Sequence, residues 1–216
     1  MLIHIPHSSR FISGLVKMSN ERENLNSLTD DYVDEIFDYS NCAYVRFPFS
    51  RFVCDVERLY NDPMEEIGQG IIYKKDIYGN DIERIISDES TMMMYKIHHR
   101  YFGQQVNFLL GLFDSVPIVD AHTFTPTEDD HPDICIGTND FHTPKKLIGD
   151  LFSHFNKKEY STKINYPYSG TIVPSHLYNK EKRVKSIMLE INKTSYIKDK
   201  EKMKITITEA LEVIDE

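Results

Sequence analysis

The chain has 216 residues, enough for one well-buried α/β domain or at most two small ones. Its formal charge of −9 argues against a nucleic-acid surface, which relies on clustered Lys and Arg, so any basic pocket has to be local. The opening residues MLIHIPHSSR have no basic leader before a long apolar core, and no run of about 18 apolar residues occurs. Neither a signal peptide nor a transmembrane helix is expected, and the expected compartment is the cytoplasm. Cys42, Cys54 and Cys135 are an odd number without close pairs, each in or beside an apolar run, which reads as buried reduced thiols rather than zinc ligands or disulfides.

In chain order, Leu2 to Ile5 is a first strand that stops at Pro6, with His7 just beyond it. Residues 11–28 are polar and read as irregular. Thr29 to Phe37 opens as a helix with Thr29 or Asp30 as N-cap, acids in the first turn, and Val33, Ile36 and Phe37 on one face. Cys42–Phe49 and Phe52–Val56 read as two strands, the second running into Asp55-Val56-Glu57-Arg58. Residues 60–88, with Gly68, Gly70 and Gly79-Asn80, read as a hairpin or flap rather than core. The longest helical pattern spans 89–113, with Met94, Ile97, Tyr101, Phe108 and Leu112 at helical spacing and His98 and His99 inside it.

Pro117-Ile118-Val119 is a short buried strand that delivers Asp120 and His122 at its end. These two are two residues apart and so share a face, where a carboxylate can fix the tautomer of a metal-binding His, the competing reading being a His that closes the strand and caps the next turn. An acidic loop at 124–132, a strand at 133–138, a helix at 143–156 and a turn-rich segment at 165–174 follow. The last strand, 185–191, brings up Glu190, and a helix over about 199–214 closes the chain. Strands separated by helices predict a single α/β domain over 1–216, a three-layer α/β/α sandwich with a mixed, partly parallel sheet. Ligands of such sheets sit at the carboxyl ends of the strands.

The polar groups at those ends are His7, Asp30 or Asp31, Glu57, Arg58, Asp120, His122 and Glu190. Two histidines and one carboxylate form the ligand set of a catalytic zinc site with a fourth position for water. Zinc would lower that water's pKa to about 7, and Glu190 could take its proton. The close ligand pairs H-x-x-E and H-E-x-x-H are absent from these segments, so unrelated loop polars are the competing reading.

At these residues the chain resembles the N-formylglutamate amidohydrolase family nearly end to end. The matching segments are IPHSS (5–9), TDDYVDEIF (29–37), SRFVCDVERLYND (50–62), VDAHTF (119–124), DICIGT (133–138), NYPYSG (165–170) and IMLEINKTSY (187–196). The resemblance implies a phosphorylase/hydrolase-like fold similar to zinc carboxypeptidases and acyl-amino-acid deacylases. It implies one Zn2+ per chain on His7, His122 and an acidic third ligand, Asp30 in the first place and Glu57 as fallback, with Asp31 also open. It implies Glu190 as the base and Arg58 on the substrate carboxylate, with Arg51, Asn165, Tyr168 and Lys193 as further substrate contacts. The implied reaction converts N-formyl-L-glutamate to L-glutamate and formate, a step of histidine degradation. A carboxypeptidase or deacylase acting on another acyl group, or a non-catalytic protein binding an acidic metabolite, is the alternative. Three positions depart from the wider pattern: Arg10 stands three beyond His7, Glu57 replaces the Asn of a D-x-N-R element, and Lys193 stands where Arg is frequent.

Overall fold

The most apolar runs of the sequence lie side by side at the middle of a sheet. The structure is a computed structural model that describes residues 1–128 and 130–216. Asp129, inside the acidic loop expected at 124–132, lies outside the described residues. The strands are β1 (Leu2–Ile5), β2 (Val16–Lys17), β3 (Ala43–Arg46), β4 (Glu83–Arg84), β5 (Val116–Phe124), β6 (Ile134–Gly137), β7 (Thr162–Ile164) and β8 (Val184–Asn192). The helices are α1 (Glu21–Leu28), α2 (Val33–Ile36), α3 (Asp88–Leu110), α4 (Lys145–Lys157), α5 (Lys193–Lys198) and α6 (Lys200–Asp215). By internal contacts the chain divides into a first unit of Met1–Ile5, Asp31–Val45 and Gly103–Glu216, and a second of Pro6–Asp30 and Arg46–Phe102.

The first unit is a mixed α/β structure. Among the described residues its sheet has the order β3-β1-β5-β8-β6-β7. β1 and β8 both run parallel to β5, and β7 runs parallel to β6, while β6 is antiparallel to β8. β5 and β8 are buried on both faces, so their polar residues Asp120, His122 and Glu190 are withdrawn from solvent along with the apolar ones. Ile3, Val119, Ala121, Leu189 and Ile191 pack with α2, α4 and α6 in one core. Side chains alternate along a strand, so His4, Asp120, His122 and Glu190 leave from the opposite face. The register pairs His4 with Asp120 and His122 with Glu190, which puts the four in adjacent positions there.

The second unit holds the β2–β4 ribbon and two apolar clusters, one around Phe52, Val53 and Tyr73 and one around Cys54, Val56, Ile71 and Tyr95. Several local expectations are corrected here. Residues 52–56 form turns, with the Val53 and Cys54 N–H groups donating to the Ser50 carbonyl; the run is apolar because it is buried on every side, not because it alternates. The polar stretch 11–28 contains α1, whose Asn24 is buried and clasps the 76–77 backbone and the Asp76 side chain. Tertiary hydrogen bonds support that helix where its own apolar pattern is thin. Within 60–88 the Gly79 turn does close a hairpin, but Ile71, Tyr73 and Ile82 are buried in the unit's clusters.

Other boundaries move as well. Thr29 ends α1 rather than capping the next helix, and α2 is a single turn entered from Tyr32 in the left-handed region (φ 70°), although Val33, Ile36 and Phe37 are buried as expected. In α3 the buried stripe is Thr91, Tyr95, His98, Phe102 and Val106, whereas Ile97, Tyr101 and Phe108, and Leu112 just past the end of the helix, are exposed. The expected stripe was rotated by about one residue, roughly 100° of helix. The inward face carries polar atoms with partners, since Arg84 donates to Thr91 Oγ1 and the Tyr95 hydroxyl donates to the Arg58 carbonyl, so apolar periodicity alone misplaced it. Asn192 caps an unexpected short helix, α5, by accepting from the Thr194 N–H.

Candidate active site

In the second unit the chain turns at Pro6 and carries His7 into a buried cluster of charges. The Asp30 N–H donates to the His7 carbonyl, which draws the segment after α1 against this turn. His7 Nε2 lies 2.9 Å from Asp55 Oδ1, and both side chains are almost fully buried. The other ring nitrogen, Nδ1, has Glu57 Oε2 at 3.4 Å and Asp30 Oδ2 at 3.9 Å, and it accepts a hydrogen bond from Arg51 Nη2. Burial, with the Arg51 charge adding to it, pushes His7 down to about 4 against the opposite pull of Asp55 and Asp30. The ring is therefore neutral at pH 7, with hydrogen on Nε2 and a lone pair on Nδ1. Burial would raise Asp55, but His7 and Arg51 outweigh it and hold the carboxyl well below the usual range.

Arg58 turns its Nε toward Asp55 Oδ2 at 3.6 Å rather than toward solvent. The Glu57 N–H donates to Asp55 Oδ1 at 3.1 Å, so Asp55 organises its own turn as well as the imidazole. From α3, His99 donates to the Val56 carbonyl and Tyr95 to the Arg58 carbonyl, which fixes the backbone on both sides of Glu57. His98 is buried edge-on to Phe47 and His99 is half-buried, so these helix histidines support the turn. Arg10 donates from Nη1 to Asn26 Oδ1 at 2.9 Å.

In the first unit, Asp120 lies between two imidazoles. Its Oδ1 is 3.1 Å from His4 Nδ1 and 3.3 Å from His122 Nε2, and its Oδ2 accepts the Ile172 N–H at 3.0 Å. Burial works to raise this carboxyl, but His122 and His4 hold it far below the ordinary carboxylate range. Asp120 and His122 lie inside β5, not at its end as expected, and Glu190 is likewise inside β8 and buried. Lys193 is buried at the start of α5, donating to Thr125 Oγ1 at 3.2 Å with Asp31 Oδ2 3.9 Å away.

Of the two residues from the 165–170 turn, Asn165 commits its amide to Thr138, just past β6. Its Oδ1 accepts from the Thr138 N–H and its Nδ2 donates to Thr138 Oγ1. Tyr168 is 45% exposed and packs edge-on to Phe124. The thiols are quiet: Cys42 donates to Tyr39, Cys135 to Tyr168 and Cys54 to Thr91 carbonyls, and burial pushes Cys54 up to about 12.

The second unit thus groups His7, Asp30, Arg51, Glu57 and Arg58, and the first groups Asp120, His122 and Glu190, with Asp31 and Lys193 as a separate pair. Asp55 and His4 were not among the expected functional residues. A signal existed for each: Asp55 is the first residue of the D-x-x-R element, and His4 is a polar residue in the otherwise apolar run of β1. The donor chemistry fits a zinc ion. Two ligands at about 2.0–2.2 Å from one tetrahedral ion stand roughly 3.3–3.5 Å apart. His7 Nδ1 and Glu57 Oε2 have that spacing, and a neutral His braced by a carboxylate on its other nitrogen is the usual form of a metal-bound imidazole.

Against known proteins, the family model described as N-formylglutamate amidohydrolase matches residues 1–197. A comparison with curated protein sequences found no match. Among solved structures, the chain is similar to an N-formylglutamate amidohydrolase from Ralstonia eutropha JMP134, with a TM-score of 0.82 at 15% identity over 99% of this chain and 93% of that one. It is also similar to a gene product of Agrobacterium tumefaciens, with a TM-score of 0.67 at 18% identity over 100% of this chain and 87% of the other. At such identities the two structures establish the fold alone, a mixed α/β architecture with a mostly parallel sheet flanked by helices.

Proposed function

The chain belongs to the N-formylglutamate amidohydrolase family, and we propose that within it the protein is a zinc-dependent hydrolase of a small anionic N-acyl amino acid, N-formyl-L-glutamate first. The observation that carries this reading is the state of His7: a buried neutral imidazole, tied through Nε2 to Asp55, whose Nδ1 faces a carboxylate at ligand spacing. His7 and His122 are the proposed histidine ligands. For the third, the 3.4 Å distance to Glu57 suits zinc better than the 3.9 Å to Asp30, so Glu57 moves ahead of Asp30.

When bound, zinc supplies a Lewis acid for the acyl oxygen and lowers the pKa of a water to about 7. Glu190 takes the proton of the attacking water and delivers it to the nitrogen of the leaving amine. Arg58, with Arg51, binds a substrate carboxylate by paired N–H donors, which an acidic chain needs if it is to hold an anion. Lys193 adds a second positive charge, and Asn165 and the exposed ring of Tyr168, both of the NYPYSG turn, are the further substrate contacts of this reading. Thiols held as hydrogen-bond donors suit a reducing compartment, and we place the enzyme in the cytoplasm.

The test is zinc content of protein purified without chelator, measured beside release of formate from N-formyl-L-glutamate and turnover of a panel of other N-acyl amino acids. About one zinc per chain and a preference for the formyl substrate are expected. Hydrolysis by metal-free protein would overturn the metal. Turnover confined to other acyl groups would make the protein a deacylase or carboxypeptidase, and ligand binding without turnover would make it a binding protein.

A further inference from the structure

Asp120 is the one carboxylate that β1 and β5 share, and its hydrogen bonds constrain both of its histidine neighbours. His4 is fully buried and Asp120 and His122 are 3% exposed, so no bulk water competes for their polar atoms. The carboxyl is by far the strongest acid of the three side chains, and its Oδ2 already accepts the Ile172 N–H at 3.0 Å, so it faces the two imidazoles as a carboxylate. An ionised carboxylate only accepts. Each ring nitrogen facing it must therefore carry hydrogen: Nδ1–H of His4 at 3.1 Å and Nε2–H of His122 at 3.3 Å, both on Oδ1.

The strand register makes this arrangement rigid. His4 and Asp120 are direct partners on neighbouring parallel strands, and the carboxylate's other oxygen is held by Ile172. The Ile172 carbonyl in turn accepts from the buried Ser186 hydroxyl of β8. A leucine would fill position 4 of this apolar strand without desolvating an imidazole. A buried histidine there gains the hydrogen bond to Asp120 that a leucine could not make.

We infer that His4 is a positioning residue: by donating to Asp120 it turns Oδ1 toward His122 and locks His122 in the tautomer with hydrogen on Nε2 and the lone pair on Nδ1. What that lone pair binds rests on the zinc reading above. The lock itself does not. His4 thus stands two hydrogen bonds away from the proposed metal position and serves the ligand through a shared carboxylate.

The experiment compares wild type, His4→Leu and His4→Asn by long-range ¹H–¹⁵N NMR of the histidine rings in chelator-treated full-length protein, followed by zinc titration of the same samples. Asn keeps an N–H donor at the place of Nδ1, whereas Leu keeps only bulk. Wild type and His4→Asn are expected to show His122 in the single Nε2–H form. His4→Leu should show both tautomers and a zinc dissociation constant raised about 10–100-fold, the usual cost of losing such a supporting contact. A wild-type His122 carrying hydrogen on Nδ1 would overturn the inference even if His4→Leu fails to fold. So would a single Nε2–H form in His4→Leu, or mixed tautomers in His4→Asn. If wild type binds no zinc while the tautomers behave as expected, the zinc reading falls and the role of His4 stands.

Discussion

Asp55 Oδ1 sits 2.9 Å from His7 Nε2, and neither side chain reaches solvent appreciably, so the carboxylate decides which nitrogen of His7 carries hydrogen. Asp55→Ala removes that decision and leaves Arg58 without its partner at 3.6 Å. Zinc affinity is expected to fall about 10–100-fold. Isothermal titration with zinc measures it, and an affinity equal to wild type would show that the Asp55 contact only supports the fold.

Glu57 and Asp30 both face His7 Nδ1, at 3.4 and 3.9 Å. Asp30 also has Arg51 Nη2 at 4.0 Å, so part of its charge is already answered. Glu57→Gln should therefore weaken zinc binding more than Asp30→Asn. The reverse order in metal analysis would return the third-ligand role to Asp30.

In the proposed function Arg58 is the residue that would give the reaction its specificity. Arg58→Ala should raise KM for acidic N-acyl amino acids much more than for neutral ones, since only the former present a carboxylate to a guanidinium. Equal losses on both would mean that Arg58 serves Asp55 and not the substrate.

Much of the sheet was legible because β1, β5 and β8 are apolar runs long enough to stand out, and His7, His122 and Glu190 lie on or just past them. The second unit was harder to read. Residues 52–56 look like a strand by composition, yet their burial comes from turns wrapped in side chains from several directions, and α1 depends on Asn24 finding Asp76 far along the chain. The site's supporting layer was hidden for the same reason: nothing local to His4 announces that Asp120 lies beside it, 116 residues later. Asp55 was visible as a motif letter, but its bond to His7 depends on how the turn at 50–58 folds.

Asp76 offers a test of that second unit away from the chemistry. It is 1% exposed; its Oδ1 accepts the Tyr78 and Asn80 N–H groups and its Oδ2 accepts Asn24 and Asn80 side-chain amides. Burial acts to raise its pKa, but these donors prevail and lower it. With the folded value below the unfolded one, the stability it contributes is complete above the unfolded value and is lost as pH falls through the folded one. Asp76→Ala should cost about 1.5–3 kcal/mol, the scale of hydrogen bonds to a charged group. Urea unfolding at pH 7 and at mildly acidic pH measures it, and the gap between variant and wild type should close only in strong acid.

Glu190 separates two roles for one carboxylate. It is the register partner of His122 on β8 and leaves the sheet from the same face, with Cys135 opposite it on β6. A zinc ligand that loses its charge weakens or strips the metal, whereas a base that loses its charge leaves the metal in place and stops the proton transfer. Glu190→Gln is expected to keep the zinc stoichiometry and a Tm near wild type, because the amide fills the same buried volume. Its kcat should fall about 10²–10⁴-fold, the contribution of a positioned acid or base, equivalent to roughly 3–5 kcal/mol in the barrier. Zinc content, Tm and kcat measured on one preparation decide the matter. Loss of zinc would make Glu190 a ligand, and unchanged turnover with a lowered Tm would remove it from the mechanism altogether.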